Sequence, residues 1–176
     1  MKPKGRRIAA YPRCVGQRPA ASFDLALGIV YDTDMSQRVV IDTNVIISGL
    51  RSRKGASFRI LEMIGSAQQF EITLSVPLAL EYEEVAKRQS EELGLTLADV
   101  DVLMEYWCGI AHLQDIHFLW RPVLRDIEDD HVLELAVEAG CALIVTHNVR
   151  DFAGSEAFGI TAIRPGEFLR RMGVES

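Results

Sequence analysis

The chain has 176 residues, of which 48% are hydrophobic, and a net charge of −6. This length suits one domain with a single core and an additional segment, and no apolar run approaches the roughly 20 residues that span a bilayer. The three cysteines have no paired spacing, which argues against a disulfide framework or a zinc site and favours a cytoplasmic protein with reduced thiols (Cys14, Cys108 and Cys141).

Residues 1–37 differ in composition from the rest of the chain. They mix basic residues, prolines and glycines without helical or strand periodicity, and residues 1–34 carry six Lys or Arg against three Asp. This composition predicts a disordered basic tail. An extension ahead of a natural start at Met35 is an alternative, and a basic arm that contacts RNA phosphates is another. In each case the folded domain is predicted to span residues 38–173.

The first half of this domain shows two strands and two helices. Val39–Ile41 is a β-branched run typical of a strand that is covered on both faces. A polar, glycine-containing stretch follows it, and then a helical pattern from about Ala56 to Ser66. Phe70–Ser75 predicts the second strand. Pro77 suits the first turn of a helix that runs to about Glu92.

The second half continues the alternation of helices and strands. Gly94 ends the preceding helix, and Thr96 can cap the next one. The predicted elements are a helix over Leu97–His112, a strand over Ile116–Trp120, a helix over Asp126–Ala139, strands over Ala142–Val145 and Ile160–Ile163, and a helix over Glu167–Met172. We therefore predict an α/β fold, in which a parallel sheet is covered on both faces by helices.

Polar residues follow four of the predicted strands. Ligands of open parallel sheets bind outside the carboxyl ends of the strands, so residues at these positions are the candidates for a site. After the first strand come Asp42, Thr43 and Asn44; after the second, Glu81; after the third, Asp126, Glu128, Asp129 and Asp130; after the fourth, Thr146, His147, Asn148 and Asp151. Oxygen ligands from four strand ends are thus predicted to meet at one edge of the sheet.

Carboxylates gathered in this way repel one another, and a divalent cation removes the conflict. Mg²⁺ or Mn²⁺ suits oxygen ligands, and the histidines show no ligand spacing, which disfavours zinc and leaves them as structural or surface residues. Such an ion could activate a water molecule for attack on a phosphodiester. The hydroxyl of Thr43 or Thr146 and the amide of Asn44 or Asn148 could orient that water or the phosphate.

Several of these acids also have a purely structural explanation. Asp42 occupies a position at which turn residues are common, and Glu81 alone would suit a solvated helix face. Asp129 and Asp130 could cap a helix and complement its dipole. Asp151 could be a loop residue.

In four segments the chain resembles the PIN-domain family, in particular the toxins of bacterial toxin–antitoxin pairs such as the VapC-type ribonucleases. The resemblance runs from about Arg38 to Gly173. The segments are Val-Val-Ile-Asp42-Thr-Asn44-Val; Ser75-Val-Pro-Leu-Ala-Leu-Glu81-Tyr-Glu-Glu-Val; Asp126-Ile-Glu-Asp129-Asp130-His-Val-Leu-Glu-Leu-Ala136; and Leu-Ile-Val-Thr146-His-Asn148-Val-Arg-Asp151-Phe152. Their order and spacing carry the resemblance, because any one of them alone is weak.

The resemblance implies a PIN-like three-layer sandwich around a five-stranded parallel sheet, with an acidic cluster that binds Mg²⁺ or Mn²⁺ for RNA cleavage. By position, Asp42 is the first metal-binding acid and Glu81 the second. Asp129 is the third, with Asp130 and Asp126 as alternatives. Many relatives have Asp at the fourth position, where this chain has Asn148, and Asp151 is the candidate substitute.

The resemblance therefore implies a metal-dependent endoribonuclease that acts as a toxin. It also implies a homodimer that is held inactive by an antitoxin partner covering the acidic groove. Because Asn148 replaces an acid, a PIN domain that binds RNA or a protein without cutting is the alternative. Phosphatases of the haloacid-dehalogenase type fit less well, since they need a second Asp where this chain has Asn44.

Overall fold

The computed structural model describes residues 22–24, 29–31, 37–65, 70–117 and 124–174. The strands are β1 (Ser22–Asp24), β2 (Ile29–Tyr31), β3 (Gln37–Ile41), β4 (Phe70–Leu74), β5 (His112–Leu113), β6 (Leu143–Val145) and β7 (Thr161–Ile163). The helices are α1 (Thr43–Arg51), α2 (Ala56–Met63), α3 (Val76–Arg88), α4 (Ser90–Leu93), α5 (Leu97–Ile110), α6 (Asp130–Glu138) and α7 (Pro165–Arg171). Within these ranges, no helix has the length and apolar character required to cross a membrane.

The two strands near the N-terminus form a small antiparallel pair, with Phe23 opposite Val30. Apart from this pair and Gln37, the predicted N-terminal segment 1–37 lies outside the described residues. The prediction that this segment is a disordered tail or an extension ahead of the domain therefore stays a prediction.

The main sheet has five parallel strands in the order β5-β4-β3-β6-β7, which confirms the predicted sheet. Strand β3 lies at its centre, between β4 and β6. Successive side chains of a strand point to opposite faces, and Val39, Val40 and Ile41 are all at most 1% exposed. Both faces of the sheet are therefore covered, as expected for a parallel sheet between layers of helices.

Helix α1 was not predicted from the sequence, in which the residues after the first strand were described only as a polar, glycine-containing stretch. Ser48 and Gly49 are weak helix formers, yet the helix forms because its apolar side buries Val45 and Ile46. A Cβ atom at Gly49 would lie 2.6 Å from the Leu61 Cδ1 atom of α2. Glycine at this position thus permits the close approach of α1 and α2.

The third strand of the sequence prediction, over Ile116–Trp120, was wrong in position. The structure places the edge strand at His112–Leu113, where it pairs with the end of β4. Because β4 ends at Leu74, and Gln114 N already donates to the Leu74 carbonyl at 2.9 Å, Ile116 has no strand beside it. Residues 118–120 lie outside the described residues.

The other elements are confirmed in kind, with shifts at their ends. Helix α2 ends at Met63 rather than Ser66, and the helix predicted from Pro77 to Glu92 is divided at Gln89 into α3 and α4. The helix predicted over Asp126–Ala139 begins with a 3₁₀ turn before α6. These differences lie at helix ends, where the backbone conformation depends on local capping.

Tyr82 attaches α3 to the end of β3 and thereby sets the position of its neighbour Glu81. The buried Tyr82 hydroxyl donates a hydrogen bond to the carbonyl of Ile41, the residue before Asp42. The Tyr82 ring meets the edge of Trp107 at a centroid distance of 6.3 Å. Trp107 is itself buried in the core.

Candidate active site

Asp42 lies where β3 ends and α1 begins, at the carboxyl edge of the central strand. Its backbone N–H continues the sheet by donating to the Val145 carbonyl of β6 at 2.9 Å. Its side chain caps α1 by accepting from Asn44 N at 3.3 Å. The side chain is 6% exposed. Asp42 is therefore both a helix cap and a buried carboxylate at the sheet edge.

Asn44 and Thr146 hold the Asp42 carboxylate in place. Asn44 Nδ2 donates to Asp42 Oδ2 at 2.7 Å, and Thr146 Oγ1 donates to the same oxygen at 2.6 Å. Thr146 Oγ1 also accepts from Asn44 Nδ2 at 3.2 Å and from Asn148 N at 2.9 Å. A hydroxyl can donate one hydrogen bond and accept two, so the Thr146 hydroxyl makes all of its hydrogen bonds within the protein. Both side chains thus position Asp42. The expectation that a hydroxyl of Thr43 or Thr146 and an amide of Asn44 or Asn148 orient water or the phosphate stays a prediction.

The electrostatic surroundings of Asp42 disfavour its ionised form. Burial raises the pKa of Asp42, and the hydrogen bonds from Thr146 and Asn44 offset this only in part. The nearby Glu81 carboxylate raises the pKa further, whereas His131 lowers it. Because the neighbouring Tyr82 is bound to the Ile41 carbonyl, α3 brings Glu81 to the sheet edge where Asp42 lies.

Glu81 is half-buried and pairs with His131 of α6. The Glu81 Oε2 atom lies 2.8 Å from His131 Nε2, and His131 Nδ1 donates to the Glu128 carbonyl at 2.7 Å. Both ring nitrogens face oxygen acceptors, an arrangement that suits the doubly protonated, cationic ring. Burial opposes ionisation of Glu81, but the interactions with His131 and the Thr43 hydroxyl outweigh it and lower the pKa of Glu81.

The Asp129 carboxyl is affected by the charges of several other acids. Burial, followed by the charges of nearby carboxylates, raises the pKa of Asp129 from 3.8 to about 6. In decreasing order of effect, these carboxylates belong to Asp42, Asp126, Asp151 and Glu81. The structure therefore brings together acids from the ends of β3 and β6, from α3 and from the start of α6.

Two predicted site residues lie apart from this group. The Asp130 side chain is 1% exposed and accepts a hydrogen bond from Leu124 N at 2.8 Å. This contact holds the segment that precedes α6. Asn148 is exposed, and its backbone N–H donates to Thr146, whereas Asp151 is half-buried and acts on the pKa of Asp129. Of the two candidates for the fourth position, only Asp151 adds a carboxylate to the group.

His131 was missed as a site residue from the sequence, which assigned it a structural or surface role. Its position next to Asp129 and Asp130 was the only available signal, and histidines at helix starts are not diagnostic of any site. The pairing joins α3 to α6, residues 50 positions apart in the chain. Only the packing of these two helices reveals the contact.

The acids suit a hard divalent cation in their chemistry, although they do not form a ready-made cage. In the part of the chain that the structure describes, no group of three or more His, Cys, Asp or Glu side chains meets the geometry of a metal site. The donors are carboxylate oxygens, which Mg²⁺ and Mn²⁺ prefer. A cation would also relieve the repulsion that contributes to the raised pKa of Asp129.

Comparisons with known proteins bear on the family and the fold of the chain. Residues 38–150 match a family model described as PIN domain, a range that covers more than half of the chain. The comparison with curated proteins gives no significant match.

Two solved structures share the fold. A chain in the crystal structure of VapBC2 from Rickettsia felis bound to a DNA fragment from their promoter has a TM-score of 0.52 and 10% identity, over 73% of this chain and 98% of that one. A chain in DNA-bound VapBC from Salmonella typhimurium has a TM-score of 0.51 and 16% identity, over the same shares of the two chains. At such identities the likeness establishes the fold alone.

Proposed function

The chain belongs to the PIN-domain family, and from that premise we propose that it is an endoribonuclease dependent on Mg²⁺ or Mn²⁺. The observation that carries this proposal is the placement of Asp42 and Glu81 at the carboxyl edge of the sheet, where their charges and that of Asp151 act on Asp129. The charges of these carboxylates contribute to raising the pKa of Asp129, and repulsion of this kind favours a bound cation. Asp42, Glu81, Asp129 and Asp151 are the proposed metal ligands.

The protein's own side chains prepare this site in three ways. Thr146 and Asn44 hold the Asp42 carboxylate in one orientation, so that little rearrangement is needed on binding. His131 and Thr43 keep Glu81 ionised. Asp129, whose pKa is raised to about 6, is mostly ionised at neutral pH and would present a carboxylate to the cation. When bound, Mg²⁺ or Mn²⁺ would lower the pKa of a water molecule and offset the charge that develops on the phosphate.

We expect cleavage of RNA to disappear when divalent metal is removed. The purified protein should cut a labelled RNA internally with Mn²⁺ or Mg²⁺, lose this activity to background in excess EDTA, and regain it when Mn²⁺ exceeds the chelator. Denaturing gels of single-stranded and structured RNAs measure the products. Cleavage that persists in EDTA and in the Asp42→Asn protein would contradict the proposal and point to a contaminating nuclease.

The alternative is a PIN domain that binds RNA or a protein without cleavage. Two observations favour it: the described residues form no ready-made metal cage, and Asn148 stands at the fourth position. Stable RNA binding by the purified protein, with no cleavage at any Mn²⁺ concentration, would support this alternative and overturn the ribonuclease.

We expect Asp151, rather than Asn148, to complete the metal site. Asp151→Asn removes a carboxylate that acts on Asp129, and it should raise the Mn²⁺ concentration for half-maximal cleavage by roughly 10- to 100-fold. Asn148→Ala is the matched comparison and should change this concentration little, because the contact of Asn148 with Thr146 is made by the backbone. A larger effect of Asn148→Ala than of Asp151→Asn would contradict the assignment.

We further propose that the chain is the toxin of a type II toxin–antitoxin pair, acting in the cytoplasm as a homodimer. The support is the family and the shared fold with chains of VapBC complexes. On this proposal a cognate antitoxin covers the acidic edge of the sheet and blocks access of RNA. The growth of a bacterial host that expresses the protein tests the toxin role.

A further inference from the structure

A groove lined by cationic side chains lies beside the acidic cluster. Its walls come from the end of α1, the start of α2, the residue after Thr146, and the start of α7. The volume is about 460 Å³. The lining residues that matter for its chemistry are Lys54, Ser57, His147, Arg164, Glu167 and Arg170.

The cations of this groove are not engaged within the described part of the chain. The side chains of Lys54, Arg164 and Arg170 form no ion pair with a described carboxylate, whereas several other surface cations do (Arg38, Arg51, Arg59, Lys87, Arg88 and Arg171). Glu167, the carboxylate in the lining, is bound to Arg171 at 2.9 Å. The groove is thus a concentration of available positive charge on a chain whose net charge is −6.

Ser57 and His147 add hydrogen-bonding groups to the groove. The Ser57 side chain is 5% exposed, and its Oγ lies 2.9 Å from His147 Nε2. His147 itself is exposed. The buried Ser57 hydroxyl thus positions the exposed imidazole. An imidazole beside unpaired cations suits phosphate oxygens, which accept hydrogen bonds and carry negative charge.

The groove is continuous with the acidic cluster through two short connections. His147 follows Thr146, whose hydroxyl binds Asp42, and His147 N donates to Asn44 Oδ1 at 3.1 Å. Ser48 lies four residues after Asn44 on α1, hence on the same face and about 6 Å further along the helix. A polymer that crosses the acidic cluster would therefore reach the groove within about one helical turn.

We propose that this groove binds the phosphate backbone of the RNA strand on one side of the cleavage point. This inference deepens the ribonuclease proposal, because it names the part of the substrate that these residues hold. It also accounts for how a protein of net negative charge attracts RNA, since the backbone needs only a local cationic path. An acidic protein segment is the competing occupant, and the experiment distinguishes the two.

The test measures RNA binding without cleavage. The probe is a fluorescein-labelled single-stranded 12-mer of uridine, titrated with protein in EDTA at salt concentrations from about 50 to 200 mM and followed by anisotropy. The triple variant Lys54→Ala, Arg164→Ala, Arg170→Ala should bind at least about tenfold more weakly at the lowest salt. Its slope of log affinity against log salt should be shallower by about 2, because each lost phosphate contact contributes about 0.7.

A control is Arg59→Ala, which removes one positive charge from α2 at a residue that pairs with Glu62 at 3.3 Å and does not line the groove. It should bind the probe like the parent. Circular dichroism melting of all variants shows that they are folded.

The outcomes separate this inference from the ribonuclease proposal. Equal binding by the parent and the triple variant, or no binding by the parent at the lowest salt, would overturn the groove assignment even if Mn²⁺-dependent cleavage occurs. Loss of binding in the triple variant supports the groove even if no RNA is cut. If a polyglutamate peptide at equal charge concentration displaces the RNA completely, the groove belongs to an acidic protein segment instead.

Discussion

Asp42→Asn is expected to abolish RNA cleavage while leaving the fold intact. The substitution removes the charge of the proposed first metal ligand, at an acid that the sheet and α1 hold from both sides. A catalytic metal ion contributes several kcal/mol to stabilising the transition state, and about 4 kcal/mol corresponds to roughly a thousandfold in rate. Initial rates of cleavage of a labelled RNA in Mn²⁺ measure this loss.

The fold should survive this substitution for local reasons. The amide oxygen of Asn can accept from Thr146 and from the Asn44 side chain in place of Oδ2, at the loss of the longer 3.3 Å contact between Oδ1 and Asn44 N. Because burial raises the pKa of Asp42, removal of the charge should not lower stability, and the melting temperature should stay within a few degrees. Asp115→Asn, at an exposed residue after β5, is the control that should keep full activity. Equal cleavage by the parent and by Asp42→Asn would refute the catalytic role.

The same pair of proteins tests the proposed toxin role. Induced expression of the parent in a bacterial host should arrest growth, and expression of Asp42→Asn should not. Growth that is indifferent to induction of the parent would count against a toxin.

Asp129→Asn is expected to stabilise the metal-free protein at alkaline pH and to have little effect on stability at pH 4. The pKa of Asp129 is raised from 3.8 to about 6 in the folded protein, so the folded state favours the protonated carboxyl. Its contribution to stability is therefore present below about pH 4 and is lost as the pH rises through about 6. Asparagine has no charge to place among the other acids and avoids this loss.

The size of this effect follows from the pKa shift. A rise from 3.8 to about 6 corresponds to at most about 3 kcal/mol, and solvent screening of the partly buried side chain reduces this to about 1–2 kcal/mol. Urea unfolding in EDTA at pH 4 and pH 8 measures it, with Asp115→Asn as the control, since that residue does not contribute to the shift of Asp129. An equal difference between the parent and Asp129→Asn at both pH values would contradict the assignment.

Metal binding should reverse this order of stability. At pH 8, Mn²⁺ is expected to stabilise the parent more than Asp129→Asn. In the parent the cation relieves the repulsion between carboxylates, whereas in the variant one of its proposed ligands is missing. The variant would thus be more stable without metal and less active with it, as is common where active sites gather like charges.

The central strand and the order of the acids could be read from the sequence because they depend on local patterns. Val39, Val40 and Ile41 form an apolar run that has to be covered on both faces, and Asp42 follows it directly. The alternation of strands and helices then dictates a parallel sheet, whose carboxyl ends share one edge. These features need no knowledge of which residues touch.

Elements whose formation depends on contacts with other parts of the chain were harder to predict from the sequence. Helix α1 contains Ser48 and Gly49, which disfavour a helix locally, and it forms because its apolar side is buried and Gly49 permits contact with α2. The edge strand at His112–Leu113 is set by where β4 ends. In both cases the deciding partner lies in another part of the chain.

The sequence by itself determined the fold class, the position of Asp42 after the central strand, and the set of acids available to one edge of the sheet. Only the tertiary structure decided how they are used. Thr146 reaches Asp42 across 104 positions of the chain and is thereby committed to holding it. Asp130 faces Leu124, while Asp129 lies among the other acids. Such choices depend on which helices pack together, because neighbouring residues of identical chemistry differ only in the direction in which the backbone presents them.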